Sequence, residues 1–295
     1  MKRIGAALAL TMLAAAAPAD DPLLRPIAPD FAKQWLTPQP PVKVFGNTYL
    51  VGFGGMNVAL IKTKTGLILI DGALPQAVPA IEDNIVKLGF RLKDVELILS
   101  TEPHYDHAGG LAALTRDTGG LVVASKPAGA VLKRGRNGPD DPQMADLLPF
   151  PPVERLRMVR DGEKVRLGDV IVTAVATPGH TAGSMSWTWK SCEGERCVDM
   201  VFGASLNPVS AEGYRFSDPA NAAVVTAFRY SFARLRELPC DMLISAHPVH
   251  SGGVEKMARL IEGASPNPFL DPGACSAYAD KYARLLDERL AREAR

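Results

Sequence analysis

Polar and apolar positions along this chain fall into two successive blocks. Each block begins with short strand-like runs and passes into amphipathic stretches. A Pro-rich segment, 20–41, comes first, with Leu23, Leu24, Phe31 and Trp35 as scattered apolar anchors of a surface arm. The runs 42–45, 48–51, 58–62 and 67–70 then have strand character. Gly46-Asn47 and Thr65-Gly66 supply turn chemistry between them, so an antiparallel meander is predicted. Phe53-Gly54-Gly55-Met56 interrupts it with a flexible, partly apolar tip. Ala77, Ile81, Ile85 and Leu88 recur on one face of a predicted helix over 76–88, which Gly89 ends. The run 95–99 reads as a buried strand, 110–118 as a helix and 121–124 as another strand.

Gly and Pro run through 128–152, which predicts a helical turn and then a long surface loop flanking the site. Strands resume at 156–159, 164–167 and 170–176, followed by a hairpin of 184–189 with 198–202. Val224, Val225, Phe228, Phe232 and Leu235 form the apolar stripe of a helix over 221–236. A strand at 242–244 and helices at 254–261 and 275–292 close the chain. Strands then helices, twice, with no linker between the halves, predict an α/β protein. Two sheets would lie face to face with helices outside, a four-layer αβ/βα sandwich. The expected unit is a single catalytic domain over 20–295, with its site at the sheet edges between the halves.

The chain has 295 residues, 47% of them hydrophobic, enough for a large core. Its start changes the picture. Basic Met1-Lys2-Arg3, the apolar run 4–17 and Ala17-Pro18-Ala19 read as a secretory signal peptide over 1–19. That run is too short and too Ala-rich for a membrane span, and no other stretch is long enough for one. Without Lys2 and Arg3 the 33 basic residues become 31 against 32 acidic ones, so the net charge moves from +1 to −1. A near-neutral chain has no basic footprint for nucleic acid. An exported, periplasmic monomer is expected. In that oxidising compartment Cys192, Cys197, Cys240 and Cys275 suggest two disulfides, with three possible pairings. Cys192 and Cys197 flank a hairpin-like turn and are candidates for a local bridge; Cys240 would then pair with Cys275.

The chemistry concentrates in Glu102-Pro103-His104-Tyr105-Asp106-His107, directly after the strand at 95–99 and before Gly109-Gly110. Clustered imidazoles and carboxylates at a strand end are what zinc requires, and a catalytic zinc keeps one position open for water. The chain has five histidines. His180 and His247 also follow apolar strands and are flanked by Gly or Pro, so four of the five share one setting. His250 lacks that setting and is expected at the surface.

The segments 102–110, 177–181 and 246–248 resemble the metallo-β-lactamase superfamily, with its His-x-His-x-Asp-His signature and two later histidines. The run 67–72 and the ending Ala274-Cys275-Ser276-Ala277-Tyr278-Ala279-Asp280 are similar to the third subclass of the class B enzymes. The resemblance implies the same four-layer fold and two Zn2+ ions per chain. It implies hydrolysis of a small-molecule β-lactam (penicillin, cephalosporin or carbapenem) by a metal-bridging hydroxide. It places Glu102, His104 and His180 on one zinc, and Asp106, His107 and His247 on the other. Asp106 would also be catalytic, orienting the hydroxide.

Glu102 departs from the signature, standing where the first His is expected. A carboxylate still binds zinc, and two His with one Glu is a catalytic set. Its added charge makes a weaker Lewis acid of that zinc. Relatives that cleave thioesters or lactones often carry a bridging Asp after a Gly, but Phe202-Gly203-Ala204-Ser205-Leu206-Asn207 holds no carboxylate. By the same resemblance Ser205 and Asn207 are candidates for binding the substrate carboxylate. A di-zinc lactonase or thioesterase is the alternative reading.

Overall fold

In the computed structural model, residues 21–295 are described; the leader expected over 1–19 lies outside them. A short helix, α1 (Ala32–Trp35), belongs to the N-terminal arm. The first sheet holds β1 (Val42–Phe45), β2 (Thr48–Leu50), β3 (Ala59–Lys62), β4 (Leu67–Ile70), β5 (Val95–Leu99), β6 (Leu121–Ser125) and β7 (Leu156–Val159), side by side in chain order. β1 to β4 pair antiparallel, as the turn residues predict. From β4 onward the pairs are parallel. Parallel neighbours need a crossover. It is supplied by α2 (Val78–Lys87) before β5, α3 (Tyr105–Ala108) and α4 (Leu111–Thr118) before β6, and α5 (Lys126–Arg134) before β7.

The second sheet contains β8 (Lys164–Leu167), β9 (Val170–Ala176), β10 (Met185–Glu193), β11 (Arg196–Gly203) and β12 (Met242–Ser245) in the order β12-β11-β10-β9-β8. It is antiparallel except for β11 with β12, which are joined through α6 (Ala222–Arg236). Helices α7 (Gly253–Ile261) and α8 (Ala274–Glu293) complete the chain.

Three apolar clusters separate four layers, which bears out the predicted sandwich. The run in β4 shows why. Leu67 and Leu69 enter the cluster under α2 and α4, while Ile68 and Ile70 enter the one between the sheets. Both faces are covered, so the strand reads as continuously apolar rather than alternating. Trp187, Met200, Phe202 and Ile244 meet Ile68, Ile70 and Leu99 in the middle cluster. Val201 and Leu243 face outward onto Phe228, Phe232 and Leu235 of α6 and Tyr278 and Tyr282 of α8.

Some elements differ from expectation. The hairpin of β10 and β11 is longer than predicted and runs through the directly opposed pair Cys192 and Cys197. These two are disulfide-bonded, and Cys240 is bonded to Cys275, so the expected pairing holds. The stretch after β5 is not a plain loop; Asp106 and His107 lie on α3, His104 is its N-cap, and Glu102 stands just before it. Helix α5 starts at Lys126, ahead of the expected helical turn, because the Ser125 hydroxyl accepts from the Ala128 N–H.

Candidate metal centre

Four sheet-edge segments deliver the site: β5 into α3, the turn after β9, the stretch after β11, and the end of β12. Two glycines hold the first two of these segments in place. A Cβ on Gly110 would lie 2.2 Å from the Gly72 carbonyl oxygen, so the junction of α3 and α4 packs directly on the backbone that follows β4. Gly179 has φ 136° and a Cβ there would meet the Phe228 ring at 2.6 Å, which seats His180 against α6.

His104, His107, His180 and His247 converge. The rings of His104 and His180 are 4.9 Å apart between centroids, as are those of His107 and His247. One nitrogen of each ring is taken by an outer acceptor. His104 Nε2 donates to Asp141 Oδ2 (2.8 Å) and His107 Nδ1 to Asp71 Oδ2 (3.2 Å). His180 Nδ1 donates to the Asn207 carbonyl (3.0 Å) and His247 Nδ1 to the Gly55 carbonyl (3.2 Å). A proton fixed on one nitrogen leaves the other with a lone pair, which is how a metal-binding imidazole is prepared.

The remaining nitrogens of His107, His180 and His247 gather around carboxylates. Asp106 Oδ2, His107 Nε2 and His247 Nε2 form a triangle with sides of 3.2, 3.3 and 3.5 Å. Tetrahedral zinc with bonds near 2.0–2.1 Å requires ligand separations of about 3.3–3.4 Å, so this triangle fits a small divalent ion. Glu102 Oε1 lies 2.9 Å from His107 Nε2 and 3.9 Å from His180 Nε2. It is buried and makes no hydrogen bond. Its other oxygen, Oε2, accepts from the Ser205 N–H at 3.0 Å. An orphaned carboxylate oxygen facing imidazole nitrogens also fits a cation.

Charge leads the same way. Glu102, Asp106, Asp71 and Asp141 are each 7% exposed or less. Their close charged partners among the described residues are imidazoles, not Lys or Arg. Burial opposes ionisation of Glu102, but His107, His180 and His104 outweigh it and hold the carboxyl well below its usual range. Asp106 is likewise kept ionised, against its burial, by His107 and His247. Burial would lower His107, yet Asp106 and Glu102 push it well above its ordinary value.

The structure therefore brings together all six sequence-derived ligand candidates. The two substrate-binding candidates lie beside them. Ser205 Oγ and Asn207 Oδ1 are buried without partners, next to Glu102 and His180. The surface placement expected for His250 is corrected. This ring is half-buried, packed between His247 (4.8 Å) and Tyr282 (5.6 Å), and its burial and the neighbouring His247 drive its pKa well below the ordinary value. Four contributors escaped the sequence reading. Asp141 and Gln143 come from an irregular loop and carry no periodic signal. Trp35, whose ring is 5.7 Å from that of His247, read only as an arm anchor. Asp71 could have been found, since it ends an apolar strand just as His180 and His247 do.

This four-layer frame, with imidazoles and carboxylates at the edges of two facing sheets, defines a metal-dependent hydrolase scaffold. The family model for the metallo-beta-lactamase superfamily matches residues 51–247. A solved B3 metallo-beta-lactamase with an active-site glutamic acid is 53% identical, with a TM-score of 0.87, over 94% of this chain and 100% of its own. The Rm3 metallo-beta-lactamase is 45% identical, with a TM-score of 0.88, over 91% and 100%. Among curated proteins, a hydroxyacylglutathione hydrolase of Rhodopseudomonas palustris (strain BisB18) is 26% identical over 65% of this chain; the chain spans 62% of that relative's length. The chain belongs to the metallo-beta-lactamase superfamily and, within it, to the B3 metallo-beta-lactamases.

Proposed function

We propose that this protein hydrolyses the cyclic amide of β-lactam antibiotics with two zinc ions. One observation carries the reading: four imidazoles each have one nitrogen tied to an outer acceptor, and His107, His180 and His247 turn the other toward Glu102 and Asp106. The buried carboxylates Glu102 and Asp106, held ionised by the imidazoles around them, carry negative charge that divalent ions would balance. Glu102, His104 and His180 would hold one ion, and Asp106, His107 and His247 the other. The active-site glutamic acid of the 53% identical relative supports the assignment of Glu102.

When bound, such ions supply Lewis acidity and make water nucleophilic near neutral pH. The chain supplies position. Asp106 orients the attacking water between the two halves of the site. Ser205, through its unpartnered hydroxyl, and Asn207, through its side-chain amide N–H, receive the substrate carboxylate. Gln143, whose amide is 3.3 Å from His180 Nε2, borders the same corner. Trp35, in contact with His247 and with Phe31, walls the opposite side against water. Export to the periplasm is part of the proposal, supported by the basic and apolar leader and by two disulfides. Among the described residues no helix is long and apolar enough to cross a membrane.

Thioester cleavage is the second reading, favoured by the hydroxyacylglutathione hydrolase relatives. The absence of a carboxylate in the segment 202–207 weighs against it. A hydrolysis panel of penicillin, cephalosporin, carbapenem and acyl-glutathione thioester tests both. The expected result is β-lactam turnover, abolished by EDTA and restored by zinc. Turnover surviving thorough chelation, or thioesters alone being cleaved, refutes the proposal. Glu102→Ala should hold one zinc tightly instead of two by metal analysis, and E102H should hold both. Two tight zinc ions in E102A would remove Glu102 from the ligand set.

A further inference from the structure

The loop between α5 and β7 grips two of the four imidazoles. Asp141 Oδ2 accepts from His104 Nε2 at 2.8 Å and from Asn137 Nδ2 at 2.9 Å, and Oδ1 accepts from the Gln143 N–H at 2.9 Å. Two residues along, Gln143 reaches His180. The loop is itself tied down at both sides of Asp141. The Asp141 N–H donates to the Gly138 carbonyl (3.0 Å), and the Pro142 carbonyl accepts from the Ala211 N–H of the second half (2.9 Å).

We propose that Asp141 is the positioning residue of the Glu102/His104/His180 metal position, and that the segment 137–143 is coupled to occupancy of that position. The inference rests on the proposed function only in taking this position to hold a metal. A carboxylate accepting from Nε2–H keeps the proton there, leaves His104 Nδ1 as the ligand atom and strengthens it as a donor. Asp71 does the same for His107 from the end of a strand. Asp141 does it from irregular backbone, so the geometry of His104 is only as firm as the loop. Asp141 holds His104 from behind, whereas the Gln143 amide meets His180 at Nε2, the nitrogen that its Asn207 bond leaves for the metal, so that contact gives way on metal binding and the coupling runs through Asp141. Linkage makes the effect reciprocal: what the ordered loop adds to metal affinity, bound metal adds to loop order.

The test compares the full-length wild type with D141A, D141N and the exposed neighbour D140A. Zinc affinities are read by competition with a chromophoric chelator, and ligand geometry by cobalt(II) absorption. In D141A one of two zinc ions should weaken by about 10–100-fold, with the other unchanged. D141N, whose amide oxygen still accepts, should lose only a few-fold, and D140A nothing. Amide exchange over 137–146 should slow on zinc binding in the wild type and not in D141A. Wild-type zinc affinities and an unaltered cobalt spectrum in D141A overturn the proposal. If D141A does not fold, the wild type decides alone: exchange over 137–146 that ignores zinc refutes the coupling. The affinity difference is expected even if no β-lactam is turned over, so this inference and the proposed function fail separately.

Discussion

Replacing Asp71 by Ala tests how far the metal centre and the stability of the fold share one group. Asp71 is 1% exposed and accepts from the Thr101 N–H (2.7 Å), the Thr101 hydroxyl (2.6 Å) and His107 Nδ1 (3.2 Å). The hydroxyl can turn elsewhere, but the backbone N–H and the imidazole cannot follow. Each buried donor left unpaired costs about 1–3 kcal/mol. The backbone at Asp71 has φ 66°, which Asp tolerates better than Ala, adding about 1 kcal/mol. Against this, burial already pushes the Asp71 carboxyl up in pKa, so removing the charge returns part of its desolvation cost. The net expectation is a loss of about 3–6 kcal/mol. At roughly 2 °C per kcal/mol for a chain of this size, the melting temperature falls by about 6–12 °C. The assay is thermal unfolding by circular dichroism in excess chelator, so that metal linkage does not contribute. D71N, which keeps an acceptor, should fall between. A D71A protein melting within about 2 °C of wild type would show that Thr101 and His107 find other partners, and the argument would be wrong.

Two further outcomes concern stability away from the metal. Burial and the neighbouring Asp117 push Glu82 up to about 7. An acid raised in the folded state contributes most when protonated, and that contribution is lost as pH rises from its unfolded value to about 7. E82Q should therefore raise the urea midpoint at pH 8 and change it little at pH 5; equal effects at both pH values contradict this. The disulfides differ in the loop they close: Cys240–Cys275 has a sequence separation of 35 and Cys192–Cys197 of 5. By loop entropy the C240S/C275S double variant should lose about 4 kcal/mol and C192S/C197S about 2. Urea denaturation showing the reverse order would mean that strain or residual structure outweighs chain entropy.

The legible parts of this molecule were those that repeat a physical rule. Buried strands such as β4 and β5 announced themselves as apolar runs. The residues that follow them could be collected by position alone, which is how His180 and His247 joined His104 and His107. The alternation of Leu67 and Leu69 against Ile68 and Ile70 between two cores was hidden, because all four are apolar and only packing separates them. Asp141 was hidden for another reason. It lies 37 positions from His104 along the chain, in irregular backbone, and nothing in Asp140-Asp141-Pro142 says which carboxylate turns inward. His250 was misread because its burial comes from Tyr282 on a helix 32 residues further on.

The tip around Gly55 has a consequence for how the protein is made. Asn57 donates from its backbone to the Ala246 carbonyl (2.9 Å) and from its side chain to the Ser245 carbonyl (2.8 Å), while Gly55 accepts from His247. These clasps join positions 188–192 residues apart. Contacts of that span carry a large loop-closure cost until the chain between them is ordered. Completing the site needs both ends of that span, so a nascent polypeptide that has not yet delivered β12 lacks His247 and holds only a fragment of it.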